Sequence, residues 1–237
     1  MKENNTSKIY LSEIFHSLQG EGSLLGTSSI FVRTSGCNLR CTWCDTPYTS
    51  WQAEGTNETI SDIVKKIKKY EHVRNVVITG GEPFLQAEKI SVLVNILKEH
   101  LYHVTIETAG TLYKKTNADL LSISPKLGNS TPITRDPKLA LAHERKRINY
   151  DVLHMFAQEK TDVQLKFVIQ RKKDLLEIED ILNKTSFQKN IVYLMPEGKT
   201  KEEIRAKEEL VWNACVKYGY KYSPRLHIDV WGDKRGI

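Results

Sequence analysis

Short β-branched runs alternate with segments of helical period along most of the chain, and this alternation limits the fold more than any other feature. The strand candidates are Ile9–Phe15, Ser29–Thr34, Asn75–Thr79, His103–Thr108, Leu120–Ser124, Val163–Ile169, Asn190–Leu194 and Leu226–Val230. Between several of them apolar residues recur three and four apart, as in Ile60, Ile63, Val64 and Ile67, and again in Ile90, Leu93, Val94 and Leu97. Thr59 or Ser61 can cap the first of these helices, with Asp62 favourable in its first turn. Such repetition specifies a parallel sheet with right-handed crossovers: an open doubly wound α/β sheet, or a full or partial β/α barrel. No Gly-x-Gly-x-x-Gly follows the first strand, which argues against a dinucleotide fold. With 237 residues, 40% of them hydrophobic, the chain can bury one sizeable core, so residues 1–237 read as one domain.

The unusual polar residues cluster at the carboxyl ends of these strands, where barrels and parallel sheets build active sites. Cys37-Asn38-Leu39-Arg40-Cys41-Thr42-Trp43-Cys44 follows the Ser29–Thr34 run, and Thr79-Gly80-Gly81-Glu82-Pro83 ends the next. Glu107–Thr111, Ser124-Pro125-Lys126, Gln170-Arg171 and Met195–Gly198 end the others. Three cysteines cannot fill a four-thiolate site. They imply either a fourth ligand from elsewhere, as in a structural zinc site, or a metal position left open. Gly-Gly-Glu-Pro reads equally as a turn or as backbone built for close approach to a ligand. The stretch Lys126–Pro137 is the least regular and reads as a loop. The run Glu144-Arg145-Lys146-Arg147 beyond it reads as a solvated helix face, near a donor protein if it has a function.

Composition removes several function classes. The first residues lack an apolar signal core and no stretch is long enough to cross a bilayer, so a soluble, cytoplasmic protein without a membrane partner is expected. Three of the four cysteines share one loop, unlike a secreted disulfide scaffold. The fourth, Cys215, lies in a helix-like segment and is expected to be a small buried hydrophobe. The net charge of +6 is spread over helix faces such as Lys65, Lys66, Lys68 and Lys69 rather than forming one tract. This argues against nucleic acid and for an anionic substrate or an acidic electron donor.

Taken together, Cys37-x3-Cys41-x2-Cys44 and Thr79–Pro83 resemble the signature of radical S-adenosylmethionine (SAM) enzymes. The resemblance implies that the three thiolates hold three irons of a [4Fe-4S] cluster, that SAM chelates the fourth, and that Gly-Gly-Glu-Pro binds its methionine moiety. Leu18-Gln19-Gly20-Glu21-Gly22 and Cys44-Asp45-Thr46, with Ser124–Lys126 and Leu226–Trp231, are similar to the 7-carboxy-7-deazaguanine synthase family of queuosine biosynthesis. The likeness runs from around Ile9 to the end of the chain. It implies a modified, incomplete (β/α)6-type barrel, a homodimer, and a flavodoxin or ferredoxin as electron donor. The implied reaction is a lyase step in which SAM is used catalytically. It contracts 6-carboxy-5,6,7,8-tetrahydropterin to 7-carboxy-7-deazaguanine with loss of ammonia.

The same resemblance assigns residues. Trp43, Asp45, Gly81, Ser124, Pro125 and Lys126 are expected around SAM, and Thr46 at a Mg2+ ion, with Asp45 as the alternative ligand. Leu18, Gln19, Gly20, Arg33 and Thr79 are expected to hold the pterin, Arg33 because its planar fork suits a carboxylate. Glu21 is expected to pair with Arg33 or to accept from the pterin amine. A C-terminal strand, Leu226–Val230, anchored by Trp231, is expected to close the site and bring His227 and the Ile237 carboxylate to the substrate. Two rivals stay open: another small radical SAM enzyme, such as a glycyl-radical activase, which would share the cysteines and Gly-Gly-Glu-Pro but act on a protein, with Leu18–Gly22 and Cys44-Asp45-Thr46 arguing against it, and a zinc-containing nucleic-acid-binding module, which would hold no iron.

Overall fold

The computed structural model describes residues 6–236. Nine strands form one sheet: β1 (Lys8–Leu18), β2 (Ser28–Thr34), β3 (Thr56–Thr59), β4 (Asn75–Gly80), β5 (His103–Thr108), β6 (Leu120–Ile123), β7 (Asp162–Ile169), β8 (Val192–Pro196) and β9 (Lys221–Tyr222). Their spatial order is β3-β1-β2-β4-β5-β6-β7-β8-β9. From β2 to β9 every pairing is parallel, whereas β1 runs antiparallel to both β2 and β3. The helices are α1 (Ile60–Lys68), α2 (Ala87–Glu99), α3 (Pro137–Glu144), α4 (Tyr150–Ala157), α5 (Asp174–Asn183), α6 (Lys201–Tyr218) and α7 (Leu226–Trp231). The six strands β2, β4, β5, β6, β7 and β8 are the β/α core of an incomplete barrel, extended by an antiparallel pair at one edge.

Local chemistry accounts for these elements. Thr59 Oγ1 accepts from Asp62 N at 3.1 Å and starts α1, whose Ile60, Ile63, Val64 and Ile67 are buried while its lysines face out. The helix-facing side of the sheet is apolar and joins one continuous core containing Ile78, Ile106, Ile123, Leu165, Phe167 and Leu194. The opposite, concave side is unusual for a parallel sheet, which is normally apolar on both faces. It carries Arg33 in register with Thr79, and Glu107 in register with Ser122, itself opposite Gln164. Phe31 and Val77 form a small apolar patch on that face, with Phe15 stacked on Phe31 at 4.9 Å between centroids.

Several expectations need correction. Leu226–Val230 is not a strand but part of helix α7, with Ile228 and Asp229 amides donating to the Arg225 carbonyl at 3.0 Å. Its apolar–polar alternation imitates a strand, yet the sheet already ends at β9 and only Ile228 of the helix is buried. Trp231 is no anchor: it is 59% exposed, whereas Arg225, one residue before the helix, is 7% exposed. The charged run is not one exposed helix face. Glu144 ends α3, and Arg147 turns inward to bond both Glu144 and Glu177. The short strands β3 and β9 and the antiparallel direction of β1 were not expected. Ile237 lies outside the described residues.

Candidate functional site

The cysteine loop leaves β2 and is fastened on every side. Arg40 N donates to His143 Nδ1 at 3.0 Å, Thr42 N to the Ser130 carbonyl at 2.8 Å, and Trp43 Nε1 to Asn129 Oδ1 at 3.2 Å. Trp51 Nε1 donates to the Cys41 carbonyl at 3.0 Å, and Arg40 clasps the Cys37 and Leu39 carbonyls at 2.7 Å. Cys37, Cys41 and Cys44 line a cavity of about 170 Å³ together with Gly81, Ala109, Ser124 and Lys126. Among the described residues no three His, Cys, Asp or Glu side chains are arranged to hold a single metal ion. Burial pushes the Cys37 thiol up to about 11 and the Cys41 thiol higher still. A coordinating metal reverses this, because it deprotonates its thiol ligands outright.

The Gly-Gly-Glu-Pro segment closes one wall of this cavity. A Cβ on Gly81 would lie 2.1 Å from the Gly36 carbonyl oxygen and 2.7 Å from that of Thr49, so only glycine lets the two loops touch. Glu82 is 1% exposed and points away from the cavity: its carboxylate accepts from Phe84 N, Ala109 N and Thr108 Oγ1 at 2.8–3.0 Å. Burial raises its pKa even against these bonds. It is a brace tying the end of β4 to the end of β5. Opposite, Lys126 Nζ folds back to the Ser124 carbonyl and hydroxyl at 2.7 and 2.8 Å.

Glu21, Asp45, Thr46, Thr79, Gly80 and Glu107 belong both to this cavity and to a second one of about 390 Å³, so the two are contiguous. The larger cavity is also lined by Leu18, Gln19, Gly20, Phe31, Arg33 and His227, with Asp233, Lys234 and Arg235 at its rim. A buried ionic network joins the two. Lys166 Nζ donates to Glu107 at 2.8 Å and Glu21 at 3.1 Å, and Arg225 donates to Glu21 at 3.1 Å and to Asp45. Burial alone would raise Glu21 and Asp45, but Lys166 and Arg225 hold Glu21 low, and Arg225 holds Asp45 low. Desolvation likewise opposes the charges on Lys166 and Arg225, yet their carboxylate neighbours raise both above their ordinary values. Glu107 also accepts from Thr79 Oγ1 at 2.8 Å and Gln19 Nε2 at 3.4 Å. His227 is held below the usual histidine value by burial, so it stays neutral.

Known proteins match this arrangement. The Radical SAM superfamily pattern covers residues 31–206. The 7-carboxy-7-deazaguanine synthase of Halobacterium salinarum is 43% identical over 234 residues, 94% of this chain and 90% of that protein. The enzyme of the same name from Rhodopirellula baltica is 43% identical over 231 residues, 97% of this chain and 89% of that protein. The chain belongs to the 7-carboxy-7-deazaguanine synthase family of the radical SAM superfamily. The crystal structure of QueE from Escherichia coli shares its fold, with a TM-score of 0.71 at 22% identity over 93% of this chain and 95% of that one. TYW1 with a lysine-pyruvate adduct bound superimposes with a TM-score of 0.58 at 16% identity, over 81% of this chain and 74% of that one.

A radical SAM enzyme needs three thiols around a space that SAM can also reach, and these residues provide it. Cys37, Cys41 and Cys44 meet Trp43, Asp45, Thr46, Gly81, Ser124 and Lys126 on one cavity lining, while Leu18, Gln19, Gly20, Arg33, Thr79 and His227 meet on the other. Pro125 lies on neither lining. Glu21 does not pair with Arg33: Arg33 Nε donates to Glu13 at 2.8 Å, and Glu21 belongs to Lys166 and Arg225. Cys215 is buried in α6, away from the loop. Lys166, Arg225, Gln164 and Ser122 are the residues that sequence reasoning missed. A lysine and a glutamine inside the otherwise apolar Val163–Ile169 run of β7 were the signal.

Proposed function

We propose that this chain contracts 6-carboxy-5,6,7,8-tetrahydropterin to 7-carboxy-7-deazaguanine with release of ammonia, a carbon–nitrogen lyase step in deazapurine biosynthesis. The observation that carries this reading is the contiguity of the two cavities: the three-thiol cavity opens, through Thr79, Glu107, Asp45 and Thr46, onto a polar chamber. A [4Fe-4S] cluster on Cys37, Cys41 and Cys44 supplies one-electron reductive cleavage of SAM, which is regenerated in each cycle.

The chain's own residues bind, orient and exclude water. Gly81, Ser124 and Lys126 hold SAM against the loop, with Trp43 packed beside it. Arg33 commits only its Nε to Glu13, leaving its terminal nitrogens to fork onto the pterin carboxylate. Gln19, Thr79, Glu107 and the ionised Glu21 complement the amide and amine edge of the pterin, and neutral His227 adds one further donor or acceptor. Phe31 forms an apolar wall for the ring. Asp45 is engaged by Arg225, so Thr46, which borders both cavities, is the protein ligand for Mg2+, with water and the substrate carboxylate completing the shell. A homodimer and a flavodoxin- or ferredoxin-type electron donor complete the reading.

The test is anaerobic reconstitution with iron and sulfide, then incubation with SAM, dithionite and the carboxy-tetrahydropterin. Stoichiometric deazaguanine product with substoichiometric SAM consumption is expected. Deoxyadenosine without deazaguanine would exclude the reading in favour of another radical SAM substrate. A colourless, zinc-loaded protein would exclude the whole class.

A further inference from the structure

A surface groove of about 710 Å³ lies on the outer side of the cysteine loop, lined by Asn38, Leu85, Thr111, Arg145, Lys146 and Ile148 among others. Asn38 directly follows Cys37, and its amide donates to Thr111 Oγ1 at 2.9 Å. The groove therefore stops one residue short of a proposed cluster ligand, and it shares no lining residue with either inner cavity. It offers some apolar surface, with Leu85 47% exposed and Leu112 and Ile148 also on the lining. Arg145 and Lys146 on its rim are exposed, and neither side chain forms an ion pair among the described residues. Their neighbour Arg147 is neutralised by Glu144 and Glu177, and Asp151 is the one carboxylate on the lining.

We propose that this groove is the docking surface for a small acidic one-electron carrier protein that reduces the cluster. The proposal rests on the function given above, which requires a cluster reduced by one electron before SAM can be cleaved: the carrier would be oxidised by one electron and the cluster reduced by one, and regeneration of SAM would return that electron. The inner side of the loop faces SAM and substrate, so the outer side is the route left for that electron. Apolar surface next to the cysteine loop together with two unpaired cations suits a transient partner of opposite charge, whose encounter is steered by charge and whose contact is small. The loop beneath is rigid. Arg40 N is bonded to His143, which is 2% exposed within α3, and Thr42 N to Ser130, so a partner resting on the segment 145–151 that follows α3 meets a cysteine loop held in a fixed position. A nucleic acid would instead need a wider basic tract to neutralise successive phosphates.

The experiment compares the cluster-loaded enzyme with an Arg145→Glu/Lys146→Glu variant. A control, Lys68→Glu/Lys69→Glu, makes the same charge change at the end of α1 that leads into the amino end of β4. Reduced acidic flavodoxin is mixed anaerobically with each, and the rate of cluster bleaching is followed at low and high salt. Dithionite-driven product formation is measured in parallel. We expect the flavodoxin rate of the groove variant to fall about tenfold or more at low salt and to converge with the parent at high salt. Its dithionite turnover and both rates of the control are expected to stay at parental values. An unchanged flavodoxin rate overturns the proposal, as does an equal loss with dithionite or an equal loss in the control. Loss of binding to an RNA oligomer with the flavodoxin rate intact overturns it in favour of a nucleic-acid surface. Absence of deazaguanine from the parent with dithionite would refute the assigned reaction instead, and the bleaching rates would still report on docking.

Discussion

Replacing Lys166 by methionine tests whether the buried ionic network holds the two cavities together. The ammonium is 4% exposed and sits 2.8 Å from Glu107 and 3.1 Å from Glu21. At an effective dielectric constant of about 20, each contact is an attraction of roughly 5–6 kcal/mol, set against several kcal/mol of desolvation for each ion. Methionine keeps the volume, removes the charge and leaves two carboxylates, 16% and 22% exposed, without the cation between them. The expected loss of folding stability at neutral pH is about 3–5 kcal/mol. Its pH dependence follows from Glu21. In the parent, burial raises this carboxyl, but Lys166 and Arg225 outweigh burial and place it below its unfolded value. Its contribution is therefore complete above an unfolded pKa of about 4.3 and is lost as the pH falls through the lower folded value. In the variant Glu21 loses Lys166 and keeps Arg225, so the gap between parent and variant is full at neutral pH and narrows as the pH falls below about 4 toward the parent's lower folded value. Urea unfolding of the cluster-free chains at both ends of that range measures it. Adding Glu107→Gln to the variant removes the like-charge contact and should restore part of the loss. A gap below about 1 kcal/mol, or one that does not change with pH, would refute the reasoning.

Other outcomes are accessible to simpler measurements. Alanine at Cys37, Cys41 or Cys44 should abolish the brown colour and reduce bound iron, whereas alanine at Cys215 should leave both at parental levels. Gly20→Ala places a Cβ 2.3 Å from His227 Nδ1, so it should raise the KM for the pterin about tenfold or more while uncoupled SAM cleavage persists. Gly81→Ala meets backbone oxygens that cannot yield, and it should cost about 1–3 kcal/mol of stability together with SAM affinity. His143 is pushed down to about 4 by burial, so it folds neutral. Its contribution is complete above an unfolded pKa of about 6.5 and is lost progressively as the pH falls toward 4, by up to about 3 kcal/mol. His143→Gln should flatten that part of the stability curve, as measured by denaturant midpoints across pH.

The parallel core and the loops at its carboxyl ends were legible because each strand carries a strong apolar run and each loop breaks it with residues of distinctive chemistry. The edge elements were not. Strand β3 (Thr56-Asn57-Glu58-Thr59) is polar throughout and forms only by pairing with β1, and β9 has two residues. Helix α7 misled for a related reason: six residues with alternating hydrophobicity fit two periods, and distant contacts chose between them. The donation from Leu226 N to the Gly20 carbonyl at 3.0 Å and the ionic contacts of Arg225 belong to the tertiary structure and leave no local pattern. The same holds for Lys166. Its position inside β7 was visible, but its carboxylate partners are 59 and 145 residues away in sequence.

Arg225 also bears on how the protein is made. Its partners Asp45 and Glu21 lie 180 and 204 residues earlier in the chain, so on the ribosome the cysteine loop is synthesised long before the guanidinium that secures it. Until that late segment arrives, Asp45 lacks its counter-ion and the lining of the three-thiol cavity is incomplete. An assembly system that delivers iron and sulfide to the nascent or newly released chain thus meets a loop without this tie, and docking of Arg225 and helix α7 completes it. A chain that stops short of Arg225 would keep every cluster ligand and still leave that cluster open to oxygen and solvent.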